Sequence, residues 1–152
     1  MDTAPATDLQ ALLLERELHA VLVRYVHLCD ERDWSAIDQV FSTQASAEYG
    51  GWPLPDRDAI LRMLQRHLGG CGPTQHLLGN LQVTHGPGGP TSRIAVRAAH
   101  RGAGELAELS YDCMGEYLDR WVLTPQGWRI AHRRMLVSLE FGSRAVLRPA
   151  AT

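Results

Sequence analysis

Lysine is missing from this chain: all fifteen basic residues are arginine. That absence excludes Schiff-base chemistry on a lysine side chain, and with it a P-loop, whose lysine reaches the phosphates. Cysteine is sparse. Cys29, Cys71 and Cys113 are an odd number, widely spaced and without a C-x-x-C pair, which reads as a reduced cytoplasmic chain with no zinc site. No apolar run approaches the roughly 18 residues that cross a bilayer, so no membrane span is expected. Residues 1–8 are polar and lack a basic or apolar leader segment, so no signal peptide is expected either. Charge of one sign is lacking as well. The net charge of −2 argues against nucleic acid as a partner, which would need a basic face. Without G-x-S-x-G a serine nucleophile has no support, and the seven histidines show no metal-ligand spacing.

What is present suits one domain with a real core: 45% of the 152 residues belong to the hydrophobic set. Residues 1–7 read as a tail and Asp8 as a helix cap. Leu14, Leu18, Val21, Leu22, Tyr25 and Cys29 then recur at helical spacing to about Asp30. After a polar break Asp33 caps a short helix carrying Trp34, Ile37, Val40 and Phe41. A brief strand is expected at 45–49, a loop at 50–55, and a third helix capped by Asp56 and stopped by Gly69-Gly70. From Thr74 the period changes to two, with strands at about 75–85, 92–101, 107–123 and 127–141, and a second tail at 143–152. Helices first and an antiparallel meander second is an α+β order. In the last strand the apolar residues switch from even (Trp128, Ile130) to odd (Met135, Val137, Leu139, Phe141). One regular strand cannot do that, so a β-bulge is expected near 132–134.

Four residues stand out as chemistry: Asp30 at the end of the first helix, Tyr49 at the end of the short strand, His76 and His100. His76 shares its strand face with Leu78 and Asn80, and His100 lies on an otherwise apolar face with Ile94, Val96 and Ala98. A carboxylate beside an imidazole fixes the tautomer and raises its basicity near neutral pH. Each residue also has a plainer reading, as a helix-end carboxylate, hydrogen-bonded core histidines and a rim aromatic. Arg133-Arg134 could bind an acidic group, or be solvated or paired.

The stretches YVHLCDERDWSAIDQVF (25–41), TQHLLGN (74–80) and GEYLDRWVLTPQGWRIAHRR (115–134) resemble the SnoaL-like branch of the nuclear transport factor 2 (NTF2-like) superfamily. The resemblance implies a cone: three N-terminal helices on a strongly curved, mixed or antiparallel sheet. In site pattern it is similar to scytalone dehydratase and bile-acid 7α-dehydratase. It then implies that Asp30 orients His76, that Tyr25 and Tyr49 polarise a substrate carbonyl, and that His100 binds substrate; Asn80, Tyr117 and Trp52 are further candidates for substrate binding. Cys29, Gly115 and Tyr117 depart from the scytalone dehydratase pattern, so a substrate other than scytalone is expected.

The function implied is a dehydratase without cofactor or metal, acting on a small apolar cyclic hydroxy-ketone. An isomerase or polyketide cyclase with the same dyad, or a non-catalytic binding module, remains open. A homodimer or homotrimer is expected, with neither nucleic acid nor membrane as partner.

Overall fold

The computed structural model describes residues 4–151. It is an α+β fold. The chain runs through α1 (Ala4–Glu31), a 3-10 helix (Trp34–Gln39), β1 (Phe41–Tyr49), β2 (Trp52–Leu54) and α2 (Arg57–Leu68). Four long strands follow: β3 (Thr74–Gly86), β4 (Gly89–Arg101), β5 (Ser110–Thr124) and β6 (Gly127–Gly142). They form one mixed sheet in the order β2-β1-β6-β5-β4-β3, with β1 parallel to β6 and every other pair antiparallel. No helix of the described residues is long and apolar enough to cross a membrane.

Both α-helices close the inner face of the sheet. α1 buries Leu18, Val21, Leu22, Tyr25, Val26, Leu28 and Cys29, and its first turns leave Leu9, Leu12 and Leu13 exposed. α2 buries Ile60, Leu64 and Leu68, and Asp56 caps it by accepting from the Ala59 N–H at 2.7 Å, as expected of an Asp in that place. Along β4 the period of two is kept: Ile94, Val96, Ala98 and His100 face the core. The outward Arg93, Arg97 and Arg101 pair with Glu116, Asp112 and Glu108.

Several local expectations are corrected. Asp8 lies inside α1 rather than capping it, because the helix already begins at Ala4; residues 1–3 lie outside the described residues. Asp33 accepts from the Ser35 hydroxyl at 2.6 Å and makes no side-chain cap bond. Phe41 opens β1 instead of ending a helix, and the expected loop holds β2. Residues 107–109 precede β5 instead of opening it. The stretch expected as a C-terminal tail is packed: Val146 is fully buried and the Arg148 carbonyl accepts from the Gly70 N–H at 2.7 Å.

The parity switch in β6 is real, and its bulge falls at Ala131, one residue before the expected window. Trp121 pairs with Ile130 while Arg120 pairs with His132, so Ala131 has no opposite number. Arg133 and Met135 thereby take the inner face. A second bulge at Ser138, between the Gly115–Val137 and Met114–Leu139 pairs, reverses the phase again. Leu139 and Phe141 consequently stand on the outer face, 53% and 59% exposed. Together the two bulges bend the sheet into a cone.

The second bulge brings backbone against Gly115, where an added Cβ would lie 1.9 Å from the Leu136 carbonyl oxygen. Backbone cannot swing aside as a side-chain tip does. Gly115→Ala is therefore expected to lower stability by about 2 kcal/mol or more. A urea midpoint equal to wild type would contradict the close packing.

Candidate active site

α1 ends one residue after Asp30, so its last turn carries that carboxylate to the start of β3. There β3 offers donors on its inner face, from residues two apart. The Thr74 hydroxyl donates to Asp30 Oδ1 at 2.9 Å, His76 Nδ1 lies 2.7 Å from the same oxygen, and the His76 backbone N–H donates to Oδ2 at 2.9 Å. A carboxylate only accepts, so the His76 proton sits on Nδ1 and its lone pair on Nε2. Nε2 has no protein partner among the described residues. Burial raises the Asp30 pKa, yet the bonds from His76 and Thr74 and the histidine's charge outweigh it and hold the carboxyl below its usual value.

His100 stands beside His76, the rings edge to face with centroids 5.7 Å apart. Its Nδ1 lies 2.9 Å from the Tyr111 carbonyl oxygen, which only accepts, so this proton too is on Nδ1 and Nε2 is an acceptor. Burial lowers the pKa of His100, which favours the neutral ring. Two imidazole acceptors thus share one wall.

The opposite end of the cavity is phenolic. The Tyr25 and Tyr49 hydroxyls are 2.9 Å apart, and the Tyr25 ring packs edge-on against Tyr117 and Phe41. Burial raises the pKa of all three tyrosines, so they remain proton donors. Beneath them lies Arg133, fully buried, its guanidinium 4.3 Å from the Tyr25 ring centroid and 3.9 Å from that of Tyr117. Asp119 pairs with it through two bonds of 2.7 Å. Burial opposes that cation, but Asp119 raises its pKa and keeps it charged. Nη1 is left without a hydrogen-bond partner among the described residues.

Between these ends is a cavity of about 290 Å³, its floor and walls largely apolar, from Leu54, Met63, Leu64, Leu68, Ala98 and Met135. His76, His100, Tyr25, Tyr49, Tyr117 and Trp52 all border it, and Asp30 stands behind His76. Trp52 is at the mouth and 78% exposed. Arg144 and Tyr111 also border the mouth, both bound to Glu140.

Asn80 does not join them. A register shift between Gly79 and Gln82 puts it in a bulge with φ 58°, exposed and away from the cavity. Cys29 is fully buried, its thiol pushed up to about 12 chiefly by burial. Among the described residues no group of three or more His, Cys, Asp or Glu is placed to hold a metal ion. Sequence reasoning overlooked Thr74, although it lies two residues before His76 and so on the same strand face. The signal for the depth of Arg133 was the parity switch: with the bulge at Ala131, Arg133 takes the inward phase of Met135.

Residues 10–134 match the family model of the SnoaL-like domain. The chain belongs to this SnoaL-like family. The uncharacterized protein Rv2910c of Mycobacterium tuberculosis is 30% identical over 124 residues, covering 77% of this chain and 80% of the relative. Among solved structures, a candidate scytalone dehydratase from Novosphingobium aromaticivorans superposes with a TM-score of 0.76 at 17% identity, covering 92% of this chain and 94% of the other. An NTF2-like superfamily protein from Salmonella enterica gives 0.70 at 14%, covering 85% and 94%. The hexachlorocyclohexane dehydrochlorinase LinA type 2 gives 0.75 at 13%, covering 90% and 93%. At these identities the structural likeness establishes the shared NTF2-like fold.

In this SnoaL-like chain the Arg133–Asp119 pair has both side chains wholly out of water. Removing one partner strands a buried charge. Asp119→Ala is expected to cost about 3–5 kcal/mol of stability. Urea unfolding measures it; a cost below about 1 kcal/mol would mean that the arginine finds water.

Proposed function

We propose that this protein is a lyase that eliminates water from a cyclic or polycyclic hydroxy-ketone, using only its own side chains. The observation that carries the reading is the 2.7 Å contact between Asp30 Oδ1 and His76 Nδ1, with His76 Nε2 left free beside an apolar cavity. A base needs a lone pair facing substrate and a partner that stabilises the charge it acquires. His76 has both.

Nε2 of His76 takes the proton from the carbon next to the substrate carbonyl, and the electron pair moves onto the carbonyl oxygen. That oxygen is held by the tyrosine pair. Of the two protons on Tyr25 and Tyr49, one closes the bond between them and the other is free to donate into the cavity. A well-placed donor of this kind is worth ~3 kcal/mol in the transition state. The Arg133 cation under the rings favours negative charge at that end. The enolate then re-forms its carbonyl, expels the hydroxyl on the next carbon, and the His76 imidazolium returns its proton to it as water. The neutral His100 ring, an acceptor at Nε2, suits a substrate hydroxyl. The fold is shared with the candidate scytalone dehydratase and the dehydrochlorinase, whose names denote eliminations, and this supports the reaction class.

A hydroxy-ketone panel followed by mass spectrometry tests the reading. Wild type should give a product lighter by one water, and Asp30→Asn should reduce kcat by about 10²-fold or more with the fold retained. His76→Ala should remove turnover. A product of unchanged mass would make the reaction an isomerisation or cyclisation, and tight ligand retention with no product would make the cone a binding module. His100→Ala should raise KM more than it lowers kcat. The assignment of the base to His76 is wrong if His100→Ala abolishes turnover and Asp30→Asn does not.

A further inference from the structure

We propose that Arg32 and Thr74 are positioning residues for the dyad: the Arg32 guanidinium dictates which way the Thr74 hydroxyl points, and that hydroxyl holds Asp30 as the acceptor for His76. This deepens the proton-transfer reading above and rests on it.

Arg32 is in an unusual place. It follows α1 with φ 57°, a left-handed conformation at which glycine is the common helix stop. The Asp33 N–H donates back to the Leu28 carbonyl at 3.1 Å, which completes the usual helix-ending pattern around it. A non-glycine residue there is strained by about 1 kcal/mol or more. What offsets the strain is visible in the side chain. Nε donates to the Leu68 carbonyl at 2.8 Å and Nη2 to the Gly72 carbonyl at 3.0 Å. Nη1, with two protons for three acceptors and so one of them shared, donates to the adjacent carbonyls of Cys29 and Asp30, at 2.6 and 3.0 Å, and to Thr74 Oγ1 at 2.8 Å. One guanidinium therefore ties the end of α1, the end of α2 and the first residue of β3 together.

The contact with Thr74 has a directional consequence. A guanidinium only donates, so Thr74 Oγ1 must accept from it, and the single hydroxyl proton is left for Asp30 Oδ1 at 2.9 Å. Two neighbours of the carboxylate can then only donate, Thr74 Oγ1 to Oδ1 and the His76 N–H to Oδ2, while His76 Nδ1 lies beside Oδ1. Fixed donors on both oxygens favour the carboxylate, and a carboxylate, which only accepts, selects the Nδ1–H tautomer of His76. Without Arg32, the Thr74 hydroxyl is free to turn and accept. The charged or titratable groups around Asp30 are His76 on β3, His100 on β4 behind it, Arg32 in the turn, and the chain neighbours Cys29 and Glu31, the latter exposed and turned to His27.

The test is a titration of the Asp30 carboxyl carbon by NMR on the full-length protein, which needs no substrate. Thr74→Val should raise the midpoint by about one pH unit, the worth of one hydrogen bond to a charged group, and Thr74→Ser should restore it. Arg32→Lys should raise it as well, but by much less in a Thr74→Val background, since its effect runs through that hydroxyl. An unchanged midpoint in folded Thr74→Val overturns the proposal. So does an Arg32→Lys shift equally large with and without Thr74, which would be plain Coulomb attraction. If Arg32→Lys does not fold, the Thr74→Val and Thr74→Ser pair decides alone. Shifts as expected in a protein that never dehydrates a hydroxy-ketone would support the positioning and overturn the lyase reading; the two failures are thus distinct.

Discussion

Three donors from the first residues of β3 converge on one carboxylate at the end of α1, and the geometry of the cavity follows from that junction. A half-buried carboxylate loses much of its hydration, a loss met here by bonds to both oxygens. Asp30 cannot move without breaking the start of β3, and β3 cannot shift register without emptying the carboxylate. Since His76 contributes both its ring and its own backbone N–H to Asp30, the ring direction is fixed relative to the strand. The lone pair of Nε2 therefore has one place to point, and that place is the cavity.

The cavity is chemically polarised. One wall presents two imidazole acceptors, Nε2 of His76 and of His100, and the other presents phenolic donors over a buried arginine. In the lyase proposed above, the substrate's acidic C–H would lie toward the imidazole and its carbonyl oxygen toward the phenols. Maintaining Arg133 inside the core demands compensation. Asp119 supplies the opposite charge, and the rings of Tyr25 and Tyr117 supply their negative faces. The charge that would otherwise burden the fold is thereby placed beneath the phenolic end of the cavity.

Much of the architecture was legible in the chain because periodicity reports burial directly. The amphipathic face of α2, its Asp56 cap, the four long strands after Thr74 and the parity switch in β6 could all be read from residue spacing, although β5 begins three residues later than that spacing suggests. The Asp30–His76 pairing was legible only through family resemblance to known motifs, since no spacing rule joins residues 46 positions apart. Other readings failed for particular physical reasons. Leu139 and Phe141 continue an apolar alternation, and nothing in the letters marks the bulge at Ser138 that turns them outward. Asn80 has the right parity for the cavity face until the local bulge ejects it. The last residues look like a tail, yet Val146 fills a hole that only the assembled cone creates.

The sequence by itself determined the order of helices and strands, the absence of lysine chemistry, and the polar residues available to a site. Tertiary structure alone decided which of them meet. Local pattern sets whether a residue faces core or solvent, but bulges change that phase by one residue at a time, and each change moves a side chain to the other face of the sheet. Arg133 is buried and Arg134 half-exposed for that reason. The same holds for the protonation pattern at Asp30. Its donors come from the start of β3, 44 and 46 residues further along the chain, and the direction of each proton is set by which partner can only give and which can only receive.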